Sequence, residues 1–217
     1  MSKFNGFFII GVIFILFAIV TGTVINKSYS ESQNLLTQIE VLKNTVEEKD
    51  ASTADIKTTL DLATEFHFDP YIVILVRHEA KKMYKEDESA WRFIQTPDYA
   101  AYLMLSVIYV ESKGDPNQIG DSGKAVGLSQ IWLSTANDYE DISKADLLLP
   151  ENNVRLAFVH FKRLLEKYNG NFALALYAWN RGEGTVDKLI AYSEPVENSY
   201  GAKVYNAALH RNTQLMN

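Results

Sequence analysis

Hydrophobic and polar positions divide the 217-residue chain into three stretches with different periodicities. Lys3 and Lys27 bracket FNGFFIIGVIFILFAIVTGTVIN, which carries no charge and would be apolar on every face of a helix. At 1.5 Å per residue, roughly 20 such residues span the ~30 Å hydrocarbon core of a bilayer. A cleaved secretory signal has an apolar core of only about 7–15 residues, and no Ala-x-Ala site follows this one. Residues 1–27 are therefore expected to form an uncleaved transmembrane signal anchor. The amino terminus and Lys3 favour a cytoplasmic start, which puts the rest of the chain on the non-cytoplasmic, periplasmic side.

Residues 28–65 are polar and contain neither Gly nor Pro. Leu35, Ile39, Leu42 and Val46 alternate at spacings of four and three, the seam of a short coiled coil, until Lys49 and Thr53 interrupt it. The pattern predicts a helical spacer that either stays solvated or self-associates through residues 35–46.

Residues 66–217 read as one mainly α domain. Asp69-Pro70 sets a capping carboxylate before a proline at the first helical position, and YIVILVRHEAKKMY continues from it. Thr96-Pro97-Asp98 repeats the device and opens DYAAYLMLSVIYVES, apolar nearly all round as a buried central helix must be. Gly114 and Pro116 stop that helix. A loop is expected from Gly114 to Gly127, then helices over about 129–139, 152–168 and 172–179, and a less regular tail. Strand signals are scarce.

Composition narrows the chemistry. Hydrophobic residues at 47% and charged residues at 22% are ordinary globular values. A net charge of −6 and a pI near 5.3 argue against nucleic-acid binding, which needs a basic face for phosphates. The absence of cysteine excludes disulfides, thiolate metal sites, a cysteine nucleophile and a lipid-modified N-terminal cysteine. His78-Glu79 lacks the second His of a zinc-protease helix, because Lys82 stands there. No His pair has ligand spacing, and each His reads as an ordinary core or surface residue. Asp115-x-Asn117 fails as a calcium loop at Ile119 and Val126. Gly120-Asp121-Ser122-Gly123 matches the nucleophile segment of all-β proteases, a fold that this helical chain does not have.

Glu111 stands apart. It ends the buried helix just before a Gly-rich loop, where burial and the helix C-terminal dipole both disfavour its charged form. A raised carboxyl pKa is what a general acid near neutral pH requires. The segment around it, ESKGDPNQIGDSGKAVGLSQ, resembles the signature of the soluble lytic transglycosylase family, whose fold is lysozyme-like. Glu111-Ser112, Pro116 and Gly127-Leu128-Ser129-Gln130 stand where that family has Glu-Ser, Pro and Gly-Leu-Met-Gln. Asn153-Val154 is similar to its Asn-Ile, ALYAWNRGEGTV to its Ala-Tyr-Asn-Ala-Gly element, and Tyr200 to its last tyrosine. The likeness runs from about residue 99 to 205. Gly114, Ser129 and Trp179-Asn180-Arg181 depart from the family's aromatic, Met and Tyr-Asn-Ala.

The resemblance implies cleavage of the MurNAc-GlcNAc β-1,4 bond of peptidoglycan without water, giving 1,6-anhydroMurNAc ends. Glu111 would be the single acid and base, with the substrate's N-acetyl group assisting. Ser112 and Gln130 would bond that group or orient Glu111, Asn180 would line the cleft, and Tyr200 would donate to Glu111, with no metal or cofactor needed. Trp132, Tyr177 and Trp179 are candidates for stacking on sugars. The expected partners are glycan strands and the membrane. Use in an envelope-spanning machine, a wall-remodelling system or a virion membrane stays open. So do two rivals: a hydrolytic muramidase on the same fold, and a non-catalytic anchored scaffold.

Overall fold

The computed structural model describes residues 53–86, 93–94, 96–196 and 199–212. The expected anchor at 1–27, the seam at 35–46 and the spacer up to residue 52 lie outside the described residues. Among the described residues no helix is long and apolar enough to cross a membrane.

The first described helix, α1 (Thr53–Phe66), crosses the domain boundary expected at residue 65. It packs on α2 (Pro70–Glu86), and its last turn puts Ala63 and Phe66 into the core. Its first turns are tied down by an ion pair that the polar sequence concealed. Arg77 of α2 is buried, and its Nη2 meets Asp55 Oδ1 at 2.5 Å while Nη1 donates to Thr59 Oγ1 at 2.6 Å. The packed domain therefore includes residues that read as spacer.

Helix α2 begins as its sequence dictates, with Asp69 Oδ1 accepting from Tyr71 N–H at 2.9 Å. Helix α3 (Pro97–Glu111) is capped by Thr96, whose Oγ1 accepts from Tyr99 N–H at 3.1 Å. Most of its apolar surface is used: Ala101, Met104, Leu105, Val107 and Ile108 are fully buried, and the helix packs against α2 and the later helix α9 (Ser199–Asn212). This is the expected central helix.

The expected 114–127 loop instead opens a small sheet. Strands β1 (Ile119–Gly120), β2 (Ala125–Val126) and β3 (Ile131–Trp132) form a three-stranded antiparallel sheet in sequence order. Ile119 pairs with Val126, and Val126 with Ile131. Strands of two residues are too short to show alternation, which is why no pattern announced them. The helix expected from 129 to 139 shrinks to α4 (Leu133–Asn137), because Gln130 takes φ +50° and Ile131–Trp132 join the ladder.

Short α5 (Lys144–Leu147) leads to α6 (Pro150–Lys167), the most strongly amphipathic of the described helices. Its Leu156 joins Val126, Ile131, Ala136, Ile142 and Leu147 in a small core under the sheet. Val154, Ala157, Phe158 and Phe161 face the main core around α3. Helix α7 (Phe172–Arg181) is capped by Asn171 and leads through Gly182 into α8 (Glu183–Ala191). Helices α8 and α9 occupy what read as an irregular tail. Val186 is the one buried residue of α8, too few to print a helical period.

One polar knot joins sheet to α6. Buried Asn153 accepts from Ser129 N–H at 2.9 Å and Ser129 Oγ at 2.7 Å, and it donates to Val126 O at 2.8 Å and Leu147 O at 3.1 Å. Gly127 makes room for it: at φ +72°, a Cβ there would lie 2.4 Å from Asn153 Nδ2.

Candidate active site

Glu111 is the last residue of α3, so the buried central helix carries it to the edge of the sheet. Ser112 ends that helix. Its N–H and Oγ both donate to Ile108 O, and its Oγ accepts from Gly114 N–H at 3.2 Å. Gly114 then turns the chain at φ +83°, where a Cβ would sit 2.5 Å from the Phe68 ring. Phe68 thus fills the space beside a position where the resembled family has an aromatic.

Two donors from distant elements converge on one oxygen of the carboxyl group. Tyr200, in the first turn of α9, donates to Glu111 Oε1 at 2.6 Å, and Trp179 Nε1 of α7 donates to the same atom at 3.2 Å. Among the described residues Oε2 has no hydrogen-bond partner, and Glu111 lines an open cleft of about 410 Å³. Burial raises the Glu111 pKa above its ordinary value; Tyr200 and Trp179 oppose that rise, and the Asp121 charge adds to it. Burial also lifts the Tyr200 hydroxyl well above its usual range, so it stays a neutral donor. The carboxyl group is held by one oxygen and can carry a proton toward the cleft on the other.

The remaining expected residues separate into two groups. Asn180, exposed at the end of α7, lines the cleft with Trp179 and Gln130. Trp132 also lines it, 43% exposed, with its Nε1 donating to Asp121 Oδ2 at 2.9 Å and Lys124 Nζ 5.1 Å from its ring. Ser112 is buried and serves the helix end, and Tyr177 packs against the main core. Gln130 spends its amide on the loop, donating to Gln118 O at 2.9 Å and Gly127 O at 2.8 Å. Its contribution is to hold the turn that shapes the cleft floor. Tyr200 is buried behind Glu111.

Sequence reasoning passed over several cleft residues. Asp121 lines the same cleft as Glu111. His160 and Arg163, on α6, line it as well. Their signal was positional: His160 lies seven residues after Asn153, on the same face of an amphipathic helix. Among the described residues no three His, Asp or Glu side chains gather as metal ligands.

In comparison with known proteins, residues 92–200 match the family described as the transglycosylase SLT domain. Among solved structures, the chain is similar to an inactive mutant of lytic transglycosylase Slt from Pseudomonas aeruginosa, at 21% identity and a TM-score of 0.45. That match covers 54% of this chain and 22% of the other, so the chain spans about a fifth of its length.

Proposed function

The chain belongs to the transglycosylase SLT family, and from that membership we propose that it is a peptidoglycan lytic transglycosylase acting through Glu111. The observation that carries this reading is the asymmetry of the Glu111 carboxyl group. Oε1 is gripped by Tyr200 and Trp179, while Oε2 has no partner among the described residues, on a residue that lines the cleft. Such a group is oriented, biased by burial toward its protonated form, and open to a ligand.

In the proposed reaction, protonated Glu111 gives its proton to the oxygen bridging MurNAc and GlcNAc. The carbonyl oxygen of the MurNAc N-acetyl group attacks C1 as the bridge breaks, forming an oxazolinium ion. The ionised Glu111 then takes the proton of the C6 hydroxyl. That oxygen attacks C1, expels the acetamido oxygen and closes the 1,6-anhydro ring, and Glu111 is again protonated. Tyr200 and Trp179 support the carboxylate formed between the two halves, since hydrogen bonds to the charged form favour it. Asn180 and the Trp179 face would bind sugar in the cleft. Glu111→Gln is expected to lower clearing of purified sacculi by at least about a hundredfold, the usual weight of a general acid. Full clearing by that variant would remove Glu111 from the reaction.

In the cell, residues 1–27 would hold the enzyme in a membrane and the spacer would display it on the extracytoplasmic side. That arrangement suits local opening of the wall by an envelope-spanning or virion assembly, with self-association through residues 35–46.

One observation favours a hydrolytic alternative. Asp121 shares the cleft with Glu111 and is close enough to perturb it. A second carboxylate can activate water, giving a muramidase. Asp121→Asn then abolishes cleavage if water is the acceptor, and leaves most of it if the C6 hydroxyl is.

A further inference from the structure

Behind Trp179 lies a buried histidine to which the proposed reaction gives no role. His160 is 8% exposed, and its ring centroid is 5.1 Å from that of Trp179, tilted by 43°. Its Nδ1 lies 2.8 Å from the Tyr139 hydroxyl. That hydroxyl already accepts a hydrogen bond from Arg163 Nε at 2.8 Å, and Arg163 is itself held by Glu183.

These contacts fix a proton. Were Nδ1 protonated, the Tyr139 oxygen would accept twice and its own hydrogen would have no acceptor among the described residues. The arrangement that satisfies every group has Tyr139 donating to Nδ1, so the imidazole is neutral with its hydrogen on Nε2. Burial, aided by the Arg163 charge, pulls the imidazole pKa down to about 4, so the ring stays neutral over the range in which Glu111 would work. Nε2 has no protein partner among the described residues, yet it is not sealed in the interior, and the ring lines the cleft. An N–H held in one tautomer and left open on a cleft is a preorganised donor.

We propose that His160 is a substrate-binding residue, whose Nε2–H donates to an acetamido carbonyl or hydroxyl oxygen of the aminosugar bound beside Trp179. A neutral donor suits such a ligand. It pairs with an uncharged oxygen, and it places no second positive charge beside the acid that must stay protonated. The proposal rests on the glycan-cleaving reading for its ligand, and on the Tyr139–His160–Trp179 geometry for its residue.

The test uses the Glu111→Gln protein, which keeps the cleft without consuming ligand, and β-1,4-linked N-acetylglucosamine oligomers as the probe. Calorimetric titration is expected to show binding, weakened roughly three- to tenfold by adding His160→Phe, the effect of one net hydrogen bond. Phe keeps an aromatic ring against Trp179, so packing alone predicts no change. Long-range 1H–15N spectra of the unsubstituted protein are expected to show the Nε2–H tautomer, with the Nε2 resonance moving on addition of oligomer. Tyr139→Phe keeps the imidazole but releases Nδ1. It is expected to give a tautomer mixture and about twofold weaker binding, and it serves if His160→Phe does not fold. Equal affinity with and without His160, or an Nδ1–H tautomer, overturns the assignment while leaving the glycan reading intact. No binding of oligomers by the parent protein overturns both.

Discussion

Replacing Tyr200 by Phe removes the shorter of the two hydrogen bonds to Glu111 while keeping a buried ring of nearly the same shape. The hydroxyl donates to Oε1 at 2.6 Å, and this bond lowers the Glu111 pKa against the larger upward effect of burial. Removing the donor leaves the upward effect less opposed, so the pKa must rise further. A hydrogen bond to a charged group contributes about 1.5–3 kcal/mol. That lost free energy is what drives the rise. A general acid works below its pKa, so the alkaline limb of kcat/KM against pH should move upward by the same amount. The rate at the optimum should fall, because the carboxylate formed on proton transfer has lost a supporting donor. The assay is kcat/KM on solubilised glycan strands across pH, paired with a carbon-13 titration of the Glu111 carboxyl group. Trp179→Phe, which removes the longer bond of 3.2 Å, should move the limb less. An alkaline limb that stays put or moves down in Tyr200→Phe would refute the reasoning.

Other outcomes follow from the same structure. Because the folded-state pKa of Glu111 lies above its ordinary value, the native protein holds a proton that the unfolded chain gives up, and stability falls as pH rises through that window. Glu111→Gln keeps an acceptor for Tyr200 and Trp179 without the charge, so it should melt higher than the parent at pH 7 and about equally at pH 4; a lower melting point at pH 7 would contradict this. Asn153→Ala strips four buried hydrogen bonds, leaving Ser129 and two carbonyls unsatisfied, and should cost at least about 3 kcal/mol in urea unfolding. Phe66→Ala should cost about 3–5 kcal/mol if α1 belongs to the domain core, whereas loss of under 1 kcal/mol would return that helix to the spacer.

What the sequence disclosed and what it hid have physical reasons. The central helix was legible because Thr96-Pro97 marks its start and its apolar faces leave burial as the only solution, and Glu111 follows from its end. The sheet was hidden because two-residue strands have no period, and because the hydrogen bonds of Gln130 and Asn153 run to backbone carbonyls that local sequence cannot indicate. Helix α8 buries too few residues to be seen as a pattern. Nothing in the local sequence marks Arg77 as buried, because its partner Asp55 lies 22 residues away. In the site, Tyr200 came from resemblance and Trp179 from its aromatic character, and their convergence on one oxygen from α9 and α7 is a tertiary fact. His160 read as an ordinary histidine because its meaning lies in Tyr139 and Arg163, which surround it only in the fold.

The central claim is that Glu111 drives an intramolecular cleavage of peptidoglycan. Its most direct test is mass spectrometry of sacculi digested by the protein and by Glu111→Gln side by side. The account predicts non-reducing 1,6-anhydroMurNAc ends from the first and no new ends from the second. Reducing MurNAc ends, or anhydro ends released equally by Glu111→Gln, would contradict it.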